Sequence, residues 1–415
     1  MNNRARQALS SNATIALVCG ATILTLTMGI RQTFGLFLTP MSGDLGISRE
    51  AFALAIAMQN LLWGLFQPFA GMFADRYGII RVLLLGAAAY AIGLGAMAGG
   101  GGLIGLNLGG GMLVGLALSC TSFAVVLGAI SRAVPAERRS AALGIASAGG
   151  SFGQFVMAPI GQSLISAHGW SDALLILAGL ALLMAPLAVI LARATRPSRD
   201  QLSDQLHVSN ERESSLSPIG ALGEAGRHRG YWYLTIGFFV CGFQVVFIGV
   251  HLPAYLVDLG MTPDVGATAL ALIGFFNIVG TWGCGVLGGR HSKKRLLAGL
   301  YLLRAMTIAV FLAAPKTETT VLVFAATIGL LWLGTVPLTS GLVGQIFGVH
   351  NLGMLFGLVF FSHQVGSFLG VWLGGLVFDV TGSYDVIWLA SIGLGVIAAA
   401  LHLPISERSL RPSMP

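Results

Sequence analysis

The sequence predicts an all-α polytopic membrane protein, with twelve transmembrane helices in two pseudo-symmetric bundles of six. Three observations carry this. Of 415 residues, 55% are hydrophobic and only 9% charged, with mean hydropathy +0.83, far from the roughly 25% charged residues of ordinary soluble domains. Apolar stretches long enough for a hydrocarbon core of about 30 Å recur twelve times between short polar breaks. Short motifs of the first half also return in the second in a nearly constant register, as in membrane folds built from internal repeats.

The spans are expected near 13–38, 50–73, 81–99, 103–131, 141–166, 171–193, 231–256, 265–288, 296–314, 319–347, 353–378 and 386–404. The basic start, Arg4 and Arg6, leads into an apolar run too long for a signal-peptide core, so the first span is expected to remain. Nineteen of the 23 Lys and Arg residues then fall on one side, against Arg49 and Lys316 on the other and Arg31 and Arg304 within spans. The positive-inside rule puts that basic side, with both termini, in the cytoplasm of an inner-membrane protein. It also accounts for the net charge of +7 without a nucleic-acid partner. The long polar break at 194–230 reads as a cytoplasmic linker between bundles at 1–193 and 231–415; the chain is read as a monomer in the lipid bilayer.

The repeat is visible residue by residue. Asp44-Leu45-Gly46 returns as Asp258-Leu259-Gly260, and the same offset relates Gly71 to Gly285, Arg76 to Arg290 and Arg81 to Arg295. A nearby shift relates Gly150-Ser151-Phe152 to Gly366-Ser367-Phe368, and Gly169 with Asp172 to Gly382 with Asp385.

After span 2 comes GMFADRYGIIR, from Gly71 to Arg81. Gly71 is suited to close helix contact, Gly78 to a tight turn, and Asp75 to bonding a facing cation, for which Arg132 at the end of span 4 is the candidate. The segment resembles the GxxxDRxGxxR/K loop of the major facilitator superfamily. The resemblance implies the major facilitator fold and a gating role for Gly71, Asp75, Arg76, Gly78, Arg81 and Arg132, which in that family latch the cytoplasmic side. Enforcing topology is the alternative role for the arginines. The second-half copy has Gly289 in place of the acid, so its latch is expected to be weaker or absent.

The stretch SRAVPAERRSAALGIASAGGSFGQ, from Ser131 to Gln154, resembles the monocarboxylate transporter family, where a basic loop leads into span 5 through a pattern close to RRxxAxGxAxAG. Arg138, Arg139, Ala142, Gly144, Ala146, Ala148 and Gly149 match, and by themselves the small residues make a helix-packing ridge. The family's substrate-contacting lysine in span 1 aligns with Arg31. The departures are the missing acidic Gly-Trp signature and a span-8 Asp-x-x-x-Arg pair replaced by Asn277 and Thr281. Oxalate/formate antiporters, close relatives of that family, use cations from late spans, and His363 offers a comparable group.

A cation at bilayer depth needs a partner or a polar cavity, and no Asp or Glu lies in the middle of any span. Arg31 and Arg304 are therefore the candidate anion-binding residues, Arg31 foremost because its guanidinium fork matches a carboxylate. Snorkelling to the interface is the alternative for Arg31, and holding helix carbonyls for Arg304. His363 and Gln364 form a polar notch in span 11, where His363 either takes a proton or bonds within the helix. Gln59, Asn60, Gln244 and Asn277 are uncharged groups that either orient a ligand or join helices. His251, nearer the outer end of span 7, is assigned to gating or to the interface; Tyr90 and Trp332 wall the cavity or pack.

The reading is a secondary active transporter, moving a small organic anion with a monocarboxylate as the expected class, by alternating access. Proton symport and anion exchange both remain open. The alternative is an exporter of drugs or toxic compounds with the same fold, which would want an acidic residue in the cavity. The chain is not read as an enzyme and needs no cofactor. The glycine runs at 99–102 and 109–111 lack the ending of a phosphate loop. Cys19, Cys120, Cys241 and Cys284 fall in separate spans without metal-ligand spacing.

Overall fold

The computed structural model describes residues 3–99, 101–134, 136–195, 218–348 and 351–410. Among the described residues eleven stretches are long and apolar enough to cross a membrane, and one of them, the 53 residues of Ala142–Ala194, contains two arms. They meet at Gly169, whose φ of 80° breaks the helix, so the arms are the fifth and sixth of twelve spans. Gly382, its counterpart in the repeat, turns the chain after span 11 with φ 72°. Gly46 and Gly260, at φ 62° and 82°, likewise end spans 1 and 7. The repeated Asp-Leu-Gly and Gly-x-x-Asp motifs are thus helix stops in a backbone region that strongly favours glycine.

Starts are equally local. Ser48 caps span 2, Arg49–Tyr77, by accepting from the Ala51 amide; Thr317 does the same for Glu318–Leu330 through Thr320; Pro263 opens Pro263–Gly288, span 8. Span 7 is Arg229–Asp258, span 9 Lys293–Ala313, span 11 Leu352–Thr381 and span 12 Asp385–His402. Residues 196–217 of the expected linker, with Arg196, Arg199 and Arg212, lie outside the described residues, as does Arg411. Its last part is a helix, Pro218–Arg227, because Ala221 and Ala225 give it an apolar face that is buried.

Spans 1 and 6 have one-residue breaks with helical dihedrals at Thr33 and Leu183, and two other spans carry larger interruptions. Span 4 runs through a π-helical stretch, Gly105–Leu113, and Val114–Thr121, then restarts as Phe123–Ala133 after Ser122, which is extended at φ −90°, ψ −167°. Span 10 consists of Glu318–Leu330 and Thr335–Phe347 with Leu331–Gly334 non-helical between them. These larger interruptions fall in corresponding spans of the two halves.

The polar links between the halves gather at the end of the molecule that carries Arg49. Arg49 makes a two-pronged bond to Asp258, with Nη1 and Nη2 both 2.6 Å from its oxygens. Asp379 accepts from the Arg49 and Glu50 amides at 3.2 and 2.7 Å, and Trp372 donates to Glu50 at 3.1 Å. Gly35 of span 1 abuts the Gly249 carbonyl of span 7, where a Cβ would have no room. Contact continues inward to Gly64, packed on Gln364 and Phe361, and to Asn277–Ser151 at 3.0 Å. Beyond this depth Leu65, Phe69, Met72 and Phe73 of span 2 are exposed, and a Cβ on Gly71 would meet nothing within 4 Å. The halves are closed at the Arg49 end and parted at the Asp75 end.

Candidate functional site

Between the halves lies a cavity of about 290 Å³ lined by spans 1, 2, 4, 5, 7, 8, 10 and 11. Among the described residues its one strongly charged group is Arg31, and no Asp or Glu lines it. Arg31 Nη2 donates to Asn60 Oδ1 at 2.5 Å, its guanidinium carbon lies 5.1 Å from the centre of the Trp63 ring, and Nε has no partner. Asn60 is in turn held by donating to the Ile56 carbonyl at 2.7 Å. Trp63 is fixed by its own bond to Ser122, at the span 4 interruption, at 2.9 Å. The cation is therefore steered into the cavity by a neutral amide and an aromatic face, neither of which cancels its charge.

Gln59 also lines the cavity. Its Nε2 donates to the Gly110 carbonyl of the π-helical stretch at 2.8 Å, leaving Oε1 bare. His363 forms part of the opposite wall, between Phe238 at 4.9 Å and the parallel ring of Phe360 at 5.8 Å. Its Nδ1 lies 3.4 Å from both Gln364 Oε1 and Ser367 Oγ, and its Nε2 is without a partner.

Five residues expected to touch substrate stand behind the wall instead: Asn60, which holds Arg31, together with Arg304, Gln244, Asn277 and Gln364. Arg304 is fully buried and donates to the Leu331 and Trp332 carbonyls at 2.6 and 2.8 Å and to Gln244 Oε1 at 3.1 Å. Those carbonyls sit where the first half of span 10 ends, so the arginine satisfies orphaned acceptors at the negative end of a helix dipole and needs no carboxylate. Gln244 completes the brace by donating to the Ser391 carbonyl at 2.7 Å. Asn277 Oδ1 accepts from the Leu333 amide at 3.1 Å, from across the same interruption, and from Thr281 at 2.9 Å. Trp332 and Leu333, which these residues hold, line the cavity. Arg304, Gln244 and Asn277 are positioning residues. Gln364 is likewise buried against Gly64 and absent from the lining, as is Tyr90, whose hydroxyl donates to the Thr27 carbonyl at 3.1 Å.

At the Asp75 end, Arg132 pairs with Asp75 at 3.0 Å, and Gly78 takes a φ of 91° that explains the glycine. Arg76 and Arg81 are exposed. The close helix contact expected at Gly71 is not made, because the halves are parted there. His251 bonds Tyr384 at 3.1 Å and the Val371 carbonyl at 2.8 Å, behind the Arg49 cluster. Among the described residues no group of three or more His, Cys, Asp or Glu side chains could share a metal ion.

The family model of the Major Facilitator Superfamily matches residues 18–336. The chain belongs to that superfamily. It is a membrane transporter and not an enzyme. Over 388 residues it is 25% identical to an uncharacterised major-facilitator-type transporter, YcxA, of Bacillus subtilis, covering 90% of each chain. It is 26% identical over 399 residues to monocarboxylate transporter 13 of the rat, covering 94% of this chain and 89% of that one. A solved bacterial homologue of the lysosomal transporter Spinster superposes with a TM-score of 0.74 at 17% identity, covering 94% of this chain and 96% of that one, which shows the shared fold.

Sequence reasoning missed Gln32, Gln154 and Trp63 of the cavity lining. Gln32 was legible beside Arg31. Trp63 reads as one more apolar residue of span 2, and nothing in its spacing marks it as the platform under the cation.

Proposed function

We propose that this transporter carries a small organic anion, a monocarboxylate, across the inner membrane by alternating access, with both termini cytoplasmic. The observation that supports it best is Arg31: a guanidinium on the cavity wall with no carboxylate among the lining residues. An arriving carboxylate supplies the missing charge, and the neutral complex crosses the closed intermediate at lower cost than the bare cation. Relatives named as monocarboxylate transporters agree with this reading. The basic loops favour a cytoplasmic Asp75 end, so the conformation described is open inward. Residues 1–193 and 231–415 then rock as two bodies joined by 194–230. The loop from Gly71 to Arg81, with Arg132, acts as the latch of the opposite state. Proton symport through His363 and anion exchange are both compatible with a cavity that has no acid.

The test is uptake into proteoliposomes of labelled carboxylates, with and without a proton gradient, by wild type, Arg31→Gln and Arg31→Lys. Saturable uptake lost in Arg31→Gln and partly kept in Arg31→Lys is expected. Export of organic cations with no carboxylate transport would replace this reading by that of a drug exporter.

A further inference from the structure

The two walls of the cavity differ in chemistry. The amino-terminal half contributes most of the polar lining, Arg31, Gln32, Gln59, Gln67, Ser151 and Gln154, beside the rings of Trp63 and Phe123. Five of these carry a buried atom with no partner: Arg31 Nε, Gln32 Nε2, Gln59 Oε1, Gln67 Oε1 and Gln154 Oε1. Gln32, Gln59 and Gln154 are themselves 6%, 0% and 6% exposed. Orphaned donors and acceptors this deep are costly unless something in the cavity bonds them. The carboxy-terminal half contributes Phe238, Val246, Trp332, Phe356 and Phe360, an aromatic wall relieved by Thr281 and by His363, whose ring lies among those of Phe238 and Phe360. Trp63 meets Phe360 edge-on at 5.5 Å, closing the aromatic surface toward Arg31.

Size agrees with this polarity. A cavity of about 290 Å³ lies near the lower end of the roughly 300–1,000 Å³ of organic-ligand pockets. That is the range of ring-sized organic ligands, larger than a short-chain acid fills. A short acid seated on Arg31 would leave water against the aromatic wall, where it finds few partners, whereas a ring there removes apolar surface from water on both sides.

We propose that the substrate is a monocarboxylate with an aromatic or comparably bulky apolar body. Its carboxylate is held by the amino-terminal half at Arg31 and the orphaned glutamines. Its body is held by the carboxy-terminal half at Phe238, Trp332 and Phe360. This rests on Arg31 being the carboxylate anchor, and the test separates the two ideas. Purified full-length protein in nanodiscs is titrated calorimetrically with 3-phenylpropanoate, propanoate, the neutral 3-phenylpropanamide and the cationic 3-phenylpropylamine. The aryl acid is expected to bind at least about tenfold tighter than propanoate, and the amide and amine much more weakly than the aryl acid. Phe360→Ala should weaken the aryl acid by about tenfold and leave propanoate within about twofold; if that variant does not fold, Phe360→Leu carries the comparison. Propanoate binding as tightly as 3-phenylpropanoate would overturn the aromatic-body inference and leave the anion carrier standing. Binding of the amine or amide in place of the acids, or of no acid at all, would overturn both.

Discussion

Replacing Asp258 by Asn tests what keeps the Arg49 end shut. The change preserves shape and one acceptor oxygen but removes the negative charge facing Arg49, whose two nitrogens each lie 2.6 Å from it. Hydrogen bonds to charged groups contribute about 1.5–3 kcal/mol, and fully exposed pairs about 0–1. This pair is between the two, with side chains 15% and 31% exposed. Arg49 also lies 3.8 Å from the centre of the Phe378 ring and donates to the Tyr384 hydroxyl at 2.9 Å, contacts that survive in Asp258→Asn but not in Arg49→Ala. The closed Arg49 end should therefore lose about 1–2 kcal/mol in Asp258→Asn, and about 1 kcal/mol more in Arg49→Ala from the cation–π and hydroxyl contacts. Since 1.4 kcal/mol is a factor of ten, the population with this end open should rise about five- to thirtyfold in the first and further in the second. Spin labels at Gly43→Cys and Thr262→Cys, both exposed positions at this end, placed in a background without the four native cysteines, report that opening as a longer distance in double electron–electron resonance. Identical distance distributions in wild type and both variants would refute the assignment of this cluster as the closure.

Other outcomes follow from the same geometry. Arg304→Met leaves two carbonyls and Gln244 Oε1 without their donor, at about 1–3 kcal/mol for each buried orphan. It should lower the thermal unfolding temperature by several degrees while Arg31→Gln leaves it nearly unchanged; an unaltered Arg304→Met protein would contradict the bracing role. Gly35→Val puts a side chain against the Gly249 and Val250 carbonyls, so the Gly43–Thr262 label pair should report an opened end even with Asp258 intact. Asp75→Asn removes a pair whose side chains are 72% exposed at the acid and 39% at Arg132, which should cost under about 1 kcal/mol of stability. Its transport rate should nevertheless fall severalfold if Asp75 latches the other state; an unchanged rate would assign the motif to topology alone.

The helices, their number and their repeat were legible because each rests on local chemistry: apolar runs, glycine at left-handed turns, and Ser or Thr at helix starts. Arg31 was legible too, since a lone cation at depth calls for a cavity. Arg304 obeys the same rule yet satisfies it differently. Its partners are backbone carbonyls freed by an interruption of span 10, and backbone acceptors leave no trace in residue type. The interruptions themselves were missed because Ser122 in span 4 and LWLG at 331–334 in span 10 sit inside runs whose hydropathy is that of continuous spans. The helix in the linker was missed because its apolar face is made of alanine and glycine, which composition alone does not separate from a flexible tether.

Those two interruptions have a mechanical consequence. Bending an intact helix at mid-membrane would tear several backbone hydrogen bonds in a medium with no water to replace them. At Ser122 and at Leu331–Gly334 the helix is already interrupted; Trp63 bonds the Ser122 hydroxyl at the first break, and Arg304 and Asn277 tie main-chain groups of span 10 at the second. Bending spans 4 and 10 at these joints would break fewer backbone bonds than bending an intact helix, and Phe123 and Trp332, one at each joint, sit on the cavity surface. Whatever fills the cavity leans directly on two joints, like a wedge between levers.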